Sequence, residues 1–442
     1  MHGMEQRFVG RGLTVMEPAE WERALSSAGR SFSTLCIRAA AFIAFICLLD
    51  VFAAVTLRIA RAFVPAGSED FYAGRAHADG YHHAAWANAY YEELATIRFD
   101  WHPYVYWLAA PHAGRYINIG EDSLRRTWRN QTSTARCGKP VRIFMFGGST
   151  VFGEGARDDY TVPSFLQRIL DGTAYCTQVT NFGQIGYVSS QELLLLEEQL
   201  RKGNRPDLAV FYDGKNDVAA ALLANEPGVT YDESSREKEF NIENWFSPTA
   251  GRLYEAALLR FAMSSALGES AKIIFKALTP GKFRLVKGQL VRRGLAANSG
   301  LRNDRGFNAD VPGLSAGVIG AYLRNVEMAK ALAQRFEYQM FFYWQPTVLQ
   351  KNYRTAYENS AAKANDIYRP IVQAVYSKMA QVALRNGIID ISGIFSSETQ
   401  PYFVDEVHLN EEGNRLIAQR MSRDILHWLD ERPAEAPEQG RF

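Results

Sequence analysis

The stretch Arg142-Ile143-Phe144-Met145-Phe146-Gly147-Gly148-Ser149-Thr150-Val151-Phe152-Gly153 decides how this chain reads. Apolar residues run without polar alternation into two glycines and a serine, and a helical pattern follows after Tyr160. Such a run predicts a parallel strand buried on both faces. The glycines let the backbone turn sharply and approach a ligand closely. Ser149 then sits at the carboxyl end of a central strand, where open α/β sheets place their chemistry. Alone, Gly-Gly-Ser is more often a structural turn than a catalytic one. The rest of the chain has to supply a base, an orienting acid and an oxyanion site.

Outward from this stretch, strand and helix patterns alternate. Strands are expected at 141–146, 178–181, 208–212, 339–344 and 387–391, and helices at 161–171, 189–202, 316–336, 357–386 and 411–430. Strands separated by helix-length segments imply βαβ units and a parallel sheet. Cys137 and Cys176 each lie just before one of the first two strands. Neighbouring parallel strands would bring them to one end of the sheet, so a Cys137–Cys176 disulfide and two unpaired thiols both fit. There is no CxxC or Cys/His cluster, so no zinc site is expected.

The chain has 442 residues, 47% of them hydrophobic and 22% charged, which is the composition of a folded globular protein. Its formal net charge of +1 gives no reason to expect a nucleic-acid partner. Residues 1–33 are polar with several arginines. From Ala39 to Leu57 the chain is apolar except for Asp50 and Thr56, close to the ~20 residues needed to cross a hydrocarbon core. This predicts an N-terminal transmembrane helix over 34–60. The arginines before it place residues 1–33 in the cytoplasm and the remainder in the periplasm, as a single-pass inner-membrane protein. A buried soluble helix is the competing reading. Residues 61–138 form an aromatic-rich extension, including Tyr81, Trp86, Tyr90, Tyr91, Trp101, Tyr104, Tyr106, Trp107 and Tyr116. It either stacks on sugar or acyl groups or packs against the main domain. A large insertion over 219–313 carries a helical patch at 252–278 and a basic stretch. It reads as a lid, a membrane or polymer contact, or a solvated surface. The main domain then comprises 139–218 and 314–432, and 433–442 reads as a disordered tail.

Four clusters fall at strand ends or before the last helix: Ser149, Asn181 to Gly186, Asp213 to Asp217, and Asp405 to Asn410. The carboxyl ends of parallel strands share one edge, so these segments should converge. A serine hydroxyl needs a base to act as a nucleophile at neutral pH. His408 can supply it, and Asp405, three residues away, can orient the imidazole. A tetrahedral oxyanion needs preorganised donors; Ser149 N–H, Gly186 N–H and the Asn216 amide are the natural three.

With its blocks in this order, the chain resembles the SGNH (GDSL-like) hydrolase family, in a membrane-anchored bacterial form. The first block looks like Gly147-Gly148-Ser149-Thr150, with Gly148 and Thr150 standing where the family more often has Asp and Leu. The second is Asn181 to Gly186, in which Gly186 matches the oxyanion glycine and Gly183 is a second choice. The third is Gly214-Lys215-Asn216-Asp217, with Asn216 as the oxyanion asparagine. The last is Asp405-Glu406-Val407-His408, which completes the triad. The resemblance covers 141–217 and 339–430. It implies an α/β fold of three layers, α/β/α, around a parallel flavodoxin-like sheet. It also implies ester cleavage through an acyl-enzyme on Ser149, with no metal or organic cofactor. The expected substrate is an O-acyl ester, specifically O-acetyl, on an extracytoplasmic carbohydrate polymer. The alternatives are an O-acyltransferase acting on polysaccharide, a lipid or thioester acyl hydrolase, and a non-catalytic polysaccharide-assembly scaffold.

Overall fold

In the computed structural model, residues 37–38, 41–42, 44–52, 74–129, 139–231, 233, 236, 310–364 and 369–432 are described. The chain divides into two units, one of residues 1–67 with 245–286 and the other of 68–244 with 287–442. All the strands below belong to the second.

Five strands form a wholly parallel sheet: β5 (Val141–Gly147), β6 (Thr177–Asn181), β7 (Leu208–Asp213), β8 (Gln339–Trp344) and β9 (Ile388–Asp390). Their spatial order is β6-β5-β7-β8-β9, the flavodoxin-like order whose chain direction reverses beside the first strand. Side chains alternate along β5. Ile143 and Met145 face helices α3 (Val162–Asp171) and α9 (Glu411–Glu431), where Leu166, Leu170, Ile417, Met421 and Ile425 are buried with them. Phe144 and Phe146 face the opposite layer, made of α4 (Ser189–Arg201), α5 (Lys215–Ala224), α6 (Val311–Phe336) and α8 (Arg369–Val382). The three-layer α/β/α expectation therefore holds.

An aromatic ladder crosses the sheet on this second face. Phe146, Phe211 and Phe342 are register partners on β5, β7 and β8. Their rings stack at 5.1 and 5.2 Å between centroids, and Phe182 stacks on Phe146 at 5.0 Å. Such contacts contribute about 0.5–1.5 kcal/mol each beyond area burial. They fix β5 against β7, and so fix where Gly147 and Asp213 end.

Helix starts follow capping chemistry. Thr161 accepts from Ser164 N–H at α3, and Asn410 accepts from Gly413 N–H at α9. Asp310 caps α6, whose first residue, Val311, lies five ahead of the expected start at 316, with Pro312 in its first turn, where a missing N–H costs nothing. The single helix expected over 357–386 is two, α7 (Ala356–Ala364) and α8, because Pro370 is tolerated in a first turn but not in a helix interior.

Residues 74–129 supply a short helix α1 (Ala87–Leu94) and two hairpins, β1 (Phe99–His102) with β2 (Tyr106–Ala109), and β3 (His112–Ala113) with β4 (Asn118–Ile119). Tyr81, Tyr90, Tyr91, Tyr116 and Ile117 form a third buried cluster with Phe152 and Val404. Most of the aromatic extension therefore packs against the nucleophile turn and the Asp405 loop. Trp101 and Tyr104, 68% and 75% exposed, do not.

The transmembrane anchor expected over 34–60 is corrected. Among the described residues no helix is long and apolar enough to cross a membrane. The longest described helical run here, residues 44–52, rises only about 14 Å at 1.5 Å per residue, against a hydrocarbon core of about 30 Å. The rest of the expected span lies outside the described residues. Membrane attachment, the inner-membrane assignment and the periplasmic placement that depended on it are withdrawn. The Cys137–Cys176 pairing is not seen between described residues: Cys137 lies outside them, although Cys176 itself is disulfide-bonded. The helical patch at 252–278, the basic stretch and the 433–442 tail also lie outside the described residues.

Candidate active site

β5 ends at Gly147, and Ser149 is the first residue of a one-turn helix, α2 (Ser149–Phe152). The glycines are needed by contact. A Cβ on Gly147 would lie 2.9 Å from Tyr212 O and 2.3 Å from the Val151 side chain. A Cβ on Gly148 would lie 2.2 Å from Asn216 Nδ2. Any side chain at 148 would have to displace the Asn216 carboxamide, and its Cβ would lie 3.2 Å from Tyr187 O.

His408 Nε2 lies 2.6 Å from Ser149 Oγ, and His408 Nδ1 lies 2.7 Å from Asp405 Oδ2. The other Asp405 oxygen accepts from the backbone N–H groups of Val407 and His408, both at 2.8 Å. A small turn makes this possible. Phe403 and Leu409 pair as an antiparallel bridge, and Val404 N–H donates to His408 O at 2.9 Å. The two residues between Asp405 and His408 are folded back so that one carboxylate meets both backbone and ring. Ser149 and His408 are 6% and 7% exposed, so the pair works in a low-dielectric pocket. This is the hydrogen-bonded side-chain chain of a serine hydrolase.

The charges are set by neighbours. Burial opposes ionisation of Asp405, but His408, Arg75 and the Val407 N–H hold its carboxyl well below the usual carboxylate range. Burial pulls the His408 imidazole down, yet Asp405 and Glu154 together push it above its ordinary value.

Around the oxyanion position, Gly186 has a left-handed φ of 81°, which favours glycine. A Cβ there would meet Trp107 at 3.4 Å. Asn216 Nδ2 donates to Tyr187 O at 2.7 Å, and its Oδ1 accepts from Tyr231 OH at 3.4 Å. A carboxamide has two N–H donors, and Tyr187 O takes one. Gln184 ties this loop down: its backbone N–H donates to Gly147 O, and its side chain bonds Ala109 N–H and Ser123 O. Gly183 presses against the Val151–Phe152 backbone and so packs the loop onto α2. Lys215 pairs with Glu406 at 2.8 Å, joining the third motif to the His408 loop.

No protein-family model matches this chain. No curated protein matches it either. Among solved structures, it is similar to the acetyl xylan esterase AlAXEase, at 14% identity over 64% of this chain and 100% of that one, with a TM-score of 0.34. It is similar to a lipolytic protein of the G-D-S-L family from Veillonella parvula DSM 2008, at 12% identity over 64% and 96% of the two chains, with a TM-score of 0.34. It is also similar to a mutant of Axe2, an acetyl-xylooligosaccharide esterase from Geobacillus Stearmophilus, at 12% identity over 65% and 95%, with a TM-score of 0.33. Likenesses at this level carry no inference about what this chain binds or cleaves. The membrane-anchored form of the resemblance falls with the anchor.

Several residues at the site have no motif that marks them in the sequence. Arg125, 1% exposed, donates to Phe152 O, Gly153 O and Ala156 O at 2.7–3.0 Å and to Asp158 at 3.0 Å. Tyr90 OH bonds Gly153 O and accepts from Gly155 N–H, and Tyr81 OH donates to Gly155 O. The extension thus clamps the turn that follows the serine. Thr150 adds one bond, to Gln345 at 3.0 Å. Arg75 and Glu154 approach the triad itself.

Behind the oxyanion side lies a buried acidic group: Glu192 on α4, Asp213 ending β7, and Asp217 on α5. Burial, with Asp213 facing it, pushes the Glu192 carboxyl far up. Burial also raises Asp213, and it pushes Asp217 to about 6. Tyr322 OH donates to Asp213, and Ser189 Oγ donates to Asp217.

Proposed function

We propose that this chain is a serine esterase acting on O-acyl, specifically O-acetyl, esters of a carbohydrate polymer. The observation that carries the reading is the continuous chain from Asp405 through His408 to Ser149 Oγ, with both ring nitrogens at 2.6–2.7 Å from their partners. Ser149 Oγ attacks the acyl carbon while His408 Nε2 takes its proton. Ser149 N–H, Gly186 N–H and the second Asn216 N–H stabilise the oxyanion. The intermediate collapses, and His408 returns the proton to the departing sugar oxygen. Water, deprotonated by the same nitrogen, then attacks the acyl carbon; the Ser149 Oγ–acyl bond breaks, His408 returns the proton to Oγ, and the acid leaves. Asp405 holds the tautomer throughout.

The carbohydrate part of the reading is supported by what stands beside Gly186. Trp107 on β2 contacts that position and donates its indole N–H to Ile185 O at 2.9 Å. The same hairpin carries Trp101 against Tyr106 at 5.6 Å between rings, with Tyr104 at its exposed tip. Tyr104 and Tyr106 have φ of 67° and 72°, a costly conformation for aromatic residues. Arg236 lies over Tyr106, and Glu233 accepts from its hydroxyl. Flat apolar faces with polar tips suit a pyranose ring.

The test uses the full chain with p-nitrophenyl acetate and with acetylated oligosaccharides. Acetate release from both is expected. Trp101→Ala should lower kcat/KM on the oligosaccharide roughly 3- to 10-fold, the size of one aromatic contact of about 0.5–1.5 kcal/mol. Its effect on p-nitrophenyl acetate, too small to reach the hairpin, should be much less. Turnover of p-nitrophenyl acetate with no release from any acetylated glycan would overturn the carbohydrate reading.

A further inference from the structure

Glu154 lies five residues after the nucleophile, and its backbone N–H donates to Ser149 O at 2.9 Å. Its side chain is 4% exposed. One carboxylate oxygen is held by the Arg75 guanidinium, and the other lies 3.7 Å from His408 Nε2. Arg75 reaches further: a second guanidinium nitrogen lies 2.7 Å from Asp405 Oδ2, the oxygen that also receives His408 Nδ1. A single guanidinium thus bridges two carboxylates that flank the imidazole at its two nitrogens. Planar forked donors suit this bridging geometry.

We propose that Arg75 and Glu154 are positioning residues for His408, with Glu154 favouring the imidazolium from the Nε2 side and Arg75 anchoring both carboxylates while limiting how far they charge the ring. The inference rests on the triad assignment above. No proton goes to Glu154: the Ser149 proton stays on Nε2 until the departing alkoxide takes it. The Glu154 carboxylate, 3.7 Å from Nε2, faces the ring's charge while that charge exists.

The groups facing the ring are few. Ser149 comes from α2, Glu154 from the turn after it, Asp405 from the ring's own loop and Arg75 from the extension. The phenols of Tyr81, Tyr91 and Tyr357 form the next layer, each pushed up by burial and so neutral. Glu406 is paired with Lys215 and Glu411 with Arg157. The signs at His408 agree with the geometry: after burial, which lowers it, Asp405 and Glu154 raise it and Arg75 lowers it.

Two substitutions should therefore move one property in opposite directions. Glu154→Gln keeps the shape and removes the charge, so the acid limb of kcat/KM should move to lower pH. Its kcat should fall roughly 10-fold, equivalent to about 1.4 kcal/mol. Arg75→Met removes the opposing cation, so the acid limb should move to higher pH while kcat also falls. The pH profile is read on p-nitrophenyl acetate with the full chain. The same shifts are read without turnover from the His408 imidazole NMR titration, assigned by its loss in His408→Gln. That second readout separates the two ideas: absent esterase activity would count against the proposed function, whereas the titration still tests the charge-setting role. An acid limb and a titration unmoved in Glu154→Gln, or moved in the same direction by both variants, would overturn the proposal. Should Arg75→Met fail to fold, the isosteric Glu154→Gln decides it.

Discussion

Ser149→Ala is expected to lower kcat on p-nitrophenyl acetate by roughly 10⁶-fold, the loss typical when a triad nucleophile is removed. The substitution deletes one oxygen and keeps the backbone of α2. The Phe146–Phe211–Phe342 ladder and the Gly147–Tyr212 contact, which place that helix, are untouched. The thermal transition should therefore stay close to that of the parent. A fluorophosphonate probe should label the parent and not the variant. His408→Ala should cost about as much, and the double variant little more, because the residues act as a unit. Retained turnover or labelling in Ser149→Ala would place the chemistry elsewhere.

Arg125→Met should produce the largest loss of stability. The guanidinium is buried and serves three carbonyls of the 152–156 turn as well as Asp158, itself 2% exposed. Methionine retains much of the volume over the Phe152 ring but leaves a buried carboxylate without its main partner. Breaking a buried pair from one side costs about 3–5 kcal/mol, which should lower Tm by roughly 10 °C. The turn it clamps also carries Glu154, so kcat should fall with stability. Arg201→Met is the control. Arg201 is 64% exposed and pairs with Glu197 one helical turn away at the surface, where an ion pair contributes about 0–1 kcal/mol. Equal melting of the two variants would show that the clamp is not a stability determinant.

The parts of this molecule that were readable in the sequence are those whose physics is local. β5, β7 and β8 are continuous apolar runs, and only a strand covered on both sides needs them. Helix α9 shows its buried face as Ile417, Met421, Ile425 and Leu429, four apart, after an Asn cap. The four motif segments fell on one edge because parallel strands all end there. Arg75, Glu154 and Arg125 were not readable. Each acts through a partner tens of residues away, and an arginine or glutamate looks the same in sequence whether it is solvated or buried. Helix α5 was hidden behind its own motif, since Lys215-Asn216-Asp217 drew attention to the turn and not to the alanines after it. The membrane span expected from the apolar run is not found: among the described residues no helix is long and apolar enough to cross a membrane, and hydrophobicity alone does not set helix length.

The acidic group behind the oxyanion side makes folding a proton-binding reaction. Glu192, Asp213 and Asp217 hold their protons to higher pH when folded than an unfolded carboxylate does. Groups raised in this way give their full stabilisation below the unfolded value and lose it as pH climbs through the folded one. Asp405 works in the opposite sense, but only at much lower pH, where unfolded carboxylates begin to protonate. Between the ordinary carboxylate range and about pH 6, where Asp217 lets go, the chain should therefore take up protons as it folds. Calorimetric refolding in two buffers of different ionisation heat reads that uptake directly. Mild acidity, which loosens many proteins, should tighten the ground beneath this site, and alkaline solution should load it with repulsion.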